Sequence, residues 1–216
     1  LICVADHFEP LWGEVPREVA EQRMRLWLTR FPELAEKHRD ADGKPPVHTF
    51  FFPGEQYFPE WLQGLAELCR EGFGEVEVHL HHGNDTRESL EKLLRTFLDQ
   101  LLDHELLSFD PATKGSSPRF AFIHGDWALA NSGPGPETCG VDEELGLLLK
   151  LGCYADMTFP SAPSSTQIPT INRIFFADPQ APPPRPHAQG IEASGQGFRP
   201  DELLLIEGPL TLDWGH

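Results

Sequence analysis

The stretch Glu75-Val76-Glu77-Val78-His79-Leu80-His81-His82-Gly83-Asn84-Asp85 decides how the rest of the chain is read. Val76 and Val78 alternate with polar residues, and Gly83-Asn84-Asp85 signals a turn, so the stretch begins as a strand and closes at that turn. Side chains on a strand alternate between faces. His79 and His81 therefore share a face, as do Glu75 and Glu77, while His82 sits at the strand's exit. These histidines with their flanking carboxylates form the densest cluster of metal-ligand types in the chain.

Outward from this strand, apolar strands alternate with amphipathic helices. Downstream, a long helix is expected from Thr86 to about Leu107, with Leu90, Leu94, Leu98 and Leu101 on its apolar face and Asp85 as its N-cap. Upstream, Val47 to Phe52 reads as a strand and Pro59 to Arg70 as a helix. Before them, the apolar run Leu1 to Ala5 reads as a buried strand ending at Asp6-His7-Phe8-Glu9-Pro10. A helix follows from Pro16 to about His38, with a break or kink at Pro32. Beyond the long helix, Arg119 to Ile123 is a strand ending at His124-Gly125-Asp126-Trp127. Val141 to Leu151 is a helix, Cys153 to Thr158 a strand, and Ile171 to Ala177 a further strand candidate. The Pro/Gly-rich segment 178–200 reads as an irregular loop, followed by strand candidates Leu203 to Ile206 and Leu210 to Leu212. Such alternation implies parallel strands joined by right-handed crossovers, in an open doubly wound sheet or a barrel. In either, ligands bind at the C-terminal ends of the strands. Asp6, His7, Glu9, Glu55, His79, His81, His82, His124 and Asp126 all fall at such ends.

The 216 residues, 39% hydrophobic and 24% charged, suit one globular domain spanning 1–216. The chain starts within an apolar run and without Met, as a segment of a longer protein would. A formal charge of -17 argues against nucleic acid, whose phosphates need Lys and Arg, and against an anionic membrane surface. No apolar run reaches membrane length. Cys3, Cys69, Cys139 and Cys153 form no CxxC pair, which points to reduced thiols and a cytoplasmic setting. No Gly-rich phosphate loop follows the first strand, and no GxSxG elbow is present. What remains is imidazoles plus carboxylates, the ligand set of a catalytic zinc or similar ion that activates water against an amide or ester.

Thr49-Phe50-Phe51-Phe52-Pro53-Gly54 resembles the TFF-x-x-G strand of the NodB-type polysaccharide deacetylases (carbohydrate esterase family 4). Asp6 looks like that family's catalytic aspartate, and Glu75-Val76-Glu77-Val78-His79 is similar to its metal-binding strand. The segments 124–132 and 152–163 look like two blocks of a divergent bacterial branch of that superfamily. The resemblance covers about residues 1–177. It implies a distorted (β/α)7 barrel, a divalent metal (zinc first), and removal of acetyl groups from N-acetylated carbohydrate. The family's Asp-Asp is Asp6-His7 here, and its metal histidines stand four apart, whereas the fourth residue after His79 is Gly83. Its late Leu-x-His motif has no match. Two pairings stay open, His79 with His81 or His79 with His82. The expected roles are therefore Asp6, His124 and Asp126 in catalysis, and Asp6, His79, His81 and His82 around the metal. Glu9, Glu55 and Trp127 are expected against the substrate. An inactive carbohydrate-binding barrel, or a metallohydrolase of a non-sugar amide, fits the same residues.

Overall fold

The computed structural model describes residues 4–109, 117–183, 185–195, 197 and 199–211. The fold is mixed α/β. Helices α1 (Arg17–Ala35), α2 (Pro59–Arg70), α3 (Arg87–Asp103) and α4 (Glu144–Leu151) alternate with nine strands. In chain order the strands are β1 (Ala5–His7), β2 (His48–Pro53), β3 (Gly74–Leu80), β4 (Ser108–Phe109), β5 (Pro118–His124), β6 (Cys153–Asp156), β7 (Ile174–Ala177), β8 (Ile191–Glu192) and β9 (Leu203–Ile206). They pair in the order β1-β2-β3-β5-β6-β9-β7-β8, with β4 added on β5. The run from β1 to β9 is parallel; β7, β8 and β4 are antiparallel additions. The parallel strands step across the sheet in one direction, with no reversal of order.

The two faces differ in chemistry. Phe50, Phe52, Val76, Val78, Leu80, Phe120 and Phe122 join residues of all four helices in one large core. The opposite face carries a small cluster, Phe51, Ala121 and Ile123, to which no helix contributes. Register aligns these faces: Asp6, Phe50 and Val76 lie side by side, as do His7, Phe51 and Glu77. Phe50, Phe51 and Phe52 are fully buried, each stabilising the fold by about 1.5–3 kcal/mol.

Several boundaries differ from the sequence reading. Helix α1 runs through Pro32 to Ala35, and its C-cap N–H still reaches the Pro32 carbonyl. Proline has no N–H to donate and its ring crowds the preceding turn, and the helix ends within a turn of it, at Ala35 and short of His38. The N-cap of α3 is Thr86 and not Asp85: Thr86 Oγ1 accepts the Ser89 N–H while Ser89 Oγ accepts the Thr86 N–H. Helix α4 starts at Glu144 rather than Val141. Strand β1 is Ala5–His7; Leu1 to Cys3, and Leu212 at the other end, lie outside the described residues. Leu210 belongs to no strand. Cys69, Cys139 and Cys153 are free thiols, and Cys3 is outside the described residues. Among the described residues no helix is long and apolar enough to cross a membrane.

Candidate metal centre

The polar groups that follow the first three parallel strands meet at one point. Glu9 lies two residues beyond β1, Glu55 sits in the turn after β2, His79 is in β3 and His81 is just beyond it. Glu9 Oε1 is 3.2 Å from His79 Nε2, 3.5 Å from His7 Nδ1 and 3.8 Å from His81 Nε2. The His79 ring stands edge-on to His7 at 4.6 Å and to His81 at 4.7 Å between centroids. Strand alternation is the cause: His7, His79 and His81 project from the face that carries Phe51 and Ala121, away from the helices.

The rings are held from behind. His79 Nδ1 lies 3.1 Å from the Ile123 carbonyl oxygen. A carbonyl only accepts, so this nitrogen carries hydrogen and donates, which leaves Nε2 to face Glu9. His81 Nδ1 is 2.5 Å from Glu55 Oε1, which fixes that ring in the same sense. A carboxylate or carbonyl behind one imidazole nitrogen, with the other left open, is how metal-binding histidines are oriented. Gly125 makes room for His81: a Cβ there would come 2.4 Å from His81 Cδ2.

Burial works to raise the Glu9 carboxyl, but hydrogen bonds to His7 and His79 and the charges of His79 and His81 outweigh it, and its pKa falls to about 2. Burial lowers the pKa of His79. A hydrogen bond to Glu55 raises that of His81. Were the His79 ring neutral and donating through Nδ1, its Nε2 lone pair and a carboxylate oxygen would stand 3.2 Å apart. Two acceptors that close repel unless a proton or a cation lies between them. Two ligands bound at about 2.0–2.1 Å to a tetrahedral ion are themselves about 3.4 Å apart, close to the spacings seen here. Ligand atoms of His7, Glu9 and His79 all lie within 4.8 Å of one another, so the group could hold a metal ion.

Asp6 and His82 face elsewhere. Asp6, one residue before His7, turns to the helix side, where Oδ2 is 3.3 Å from His48 Nε2. His82, one residue after His81, is buried on that same side, its ring 4.5 Å from that of His124. Its Nδ1 is 3.2 Å from Asp85 Oδ2 and its Nε2 is 3.2 Å from Glu144 Oε1. His82, His124, Cys139 and Glu144 form a second, fully buried group whose ligand atoms lie within 4.8 Å, and it too could hold a metal ion. His124 is therefore packed beneath the sheet. Asp126 stays half-buried, and its charge acts on His81. Trp127 is 41% exposed with its ring 6.2 Å from His7, and its backbone is left-handed at φ 54°.

From the sequence His7 is placed at a strand end but given no role, Asp85 is read only as a cap and Cys139 only as a thiol, and Glu144 is not singled out. A strand parity assigned to Asp6-His7 would have separated the two, but the unbroken apolar run before them carries no alternation to read. Glu144 hides in a leucine-rich helix start. No family model, no curated protein and no solved structure matches the chain.

Proposed function

We propose that the chain is a metal-dependent hydrolase whose divalent ion, zinc by the chemistry of the donor set, is held by His7, Glu9, His79 and His81. The observation that carries this reading is the convergence of three imidazole nitrogens on Glu9 Oε1, with the far nitrogens of His79 and His81 already engaged by Ile123 and Glu55. Two features support a distorted (β/α)7 barrel around it. The parallel strands advance in one direction, and the helices all join the core on one face. Right-handed crossovers that keep to one side wind a sheet toward closure, and the C-terminal ends of the strands then ring the site.

A divalent ion at this point supplies Lewis acidity, acidifying water and polarising a carbonyl oxygen. The rest falls to the chain. Asp126, half-buried beside His81, is placed to take a proton from the attacking water. Glu55 holds the His81 ring, and the Ile123 carbonyl holds His79. Trp127, exposed beside His7, offers a flat apolar wall of the kind sugars stack on. With the resemblance at Thr49 to Gly54 and Glu75 to His79, this favours an N-acetylated carbohydrate, with acetate as the product.

The test is acetate release from N-acetylglucosamine oligomers by protein stripped with chelator and reloaded with zinc. Activity is expected only with metal. Asp126→Asn is expected to lower the rate by about 10²–10⁴-fold, the usual worth of a general base, with metal still bound. Loaded protein that releases no acetate, or an unaffected Asp126→Asn, would overturn the reading. Turnover of a simple aryl amide but no sugar would move it to a non-sugar substrate.

A further inference from the structure

We propose that the chain carries a second metal ion, structural and closed to solvent, bound by His82, His124, Cys139 and Glu144. Their ligand atoms lie within 4.8 Å of one another, and all four residues are buried. The set contains two imidazoles, a thiol and a carboxylate. Once the thiol is deprotonated, its two anions balance a divalent charge, so the interior is left with no net charge from ion and ligands. All four of these residues are buried, which closes the ion to solvent, whereas His7 and His81 of the first cluster are part-exposed and leave that ion open to a water as a fifth ligand.

Two further observations point to an occupant. His124 is fully buried, and among the described residues its Nε2 has no hydrogen-bond partner. A buried polar atom without a partner is rare, because it forfeits its hydration for nothing. His82 is also oriented from behind: Nδ1 faces Asp85 Oδ2 at 3.2 Å, and Asp85 in turn accepts from Ser89 Oγ at 2.6 Å. That leaves His82 Nε2 pointing at Glu144, the carboxylate-histidine arrangement already seen at the first cluster. Without an ion, His82 would have to be an imidazolium between two carboxylates, and His124 Nε2 would remain unsatisfied. Coordination through His124 Nε2 moves the ring hydrogen to Nδ1. It thereby gives up the bond from the Asp126 N–H at 3.2 Å, one neutral hydrogen bond exchanged for a metal bond.

The ligands come from the exits of β3 and β5, the loop before α4 and the first residue of α4. An ion here clamps irregular segments that little regular structure holds. The two clusters share no residue, so this proposal stands or falls independently of the hydrolase reading. Cys139 also sets it apart, because among the described residues the cluster around Glu9 has no sulfur ligand.

The full chain should be loaded with cobalt. A thiolate-to-cobalt charge-transfer absorption in the near ultraviolet is expected, saturating with one metal equivalent per chain. Cys139→Ser should remove the absorption and one equivalent, whereas His79→Ala should keep the absorption. Cobalt-loaded wild type without that absorption, or an absorption that is lost with His79→Ala and survives Cys139→Ser, overturns the proposal. If Cys139→Ser fails to fold, X-ray absorption on zinc-loaded wild type decides: a sulfur neighbour at about 2.3 Å supports the site and nitrogen and oxygen neighbours alone refute it.

Discussion

At the scale of the residue, Glu9 and His79 carry the most consequence, because Glu9 Oε1 is the point on which the imidazoles converge and His79, 3.2 Å from it, is fully buried. His79→Ala and His81→Ala are each expected to lower zinc affinity by well over tenfold, read by competition with a chromophoric chelator. Glu55→Gln should cost about 10–100-fold, the usual effect of losing a group behind a ligand. Asp6→Ala, on the other face, should leave affinity unchanged. Gly83 makes a sharper case. A histidine there would restore the four-residue spacing of the deacetylase motif, yet a Cβ would meet the Glu137 carbonyl oxygen at 1.8 Å. Gly83→His is therefore expected to lower the melting temperature and to add no ligand. The common face of His79 and His81 was legible from strand alternation alone. The side to which Asp6 and His7 each turn was not: residues 1–5 are apolar at every position, and alternation is the only sequence signal of which face a strand end presents.

At the scale of the element, β3 is tied to its neighbours by one buried acid. Glu77 accepts the Ala121 N–H of β5 and, at 2.6 Å, the hydroxyl of Tyr154 in β6. Burial raises its pKa to about 7, against the lowering effect of those hydrogen bonds. The folded pKa lies above the unfolded value near 4.5, so the neutral acid is favoured in the fold. Its contribution is full below that unfolded value and is lost as pH rises through about 7, at no more than about 1.4 kcal/mol per pH unit. Denaturant unfolding of Glu77→Gln should be flatter than wild type between roughly pH 5 and 8; equal slopes would remove Glu77 from the account. Thr86→Ala should cost α3 about 1 kcal/mol by removing its cap, with Asp85→Ala acting instead through His82. Elements with strong periodicity, such as Pro59–Arg70, were legible to the residue. The two-residue strands Ser108–Phe109 and Ile191–Glu192 were not, since pairing partners far along the chain define them and no local pattern does.

At the scale of the whole molecule, a sheet advancing in one direction, with its helices joining one core, leaves the other face free to gather polar groups at the strand ends. That geometry explains why residues 70 positions apart, Glu9 and His79, meet at 3.2 Å. It also explains why adjacent histidines part: His81 joins the open cluster and His82 the buried one. The open cluster is proposed to hold a divalent ion. The most direct test is anomalous diffraction at the zinc edge from crystals of zinc-loaded protein. A peak bonded to Glu9, His79 and His81 at about 2.0–2.2 Å is expected, with His7 as the further ligand. Zinc-saturated crystals with no peak among those side chains, and with His79 Nε2 still against Glu9, would contradict it.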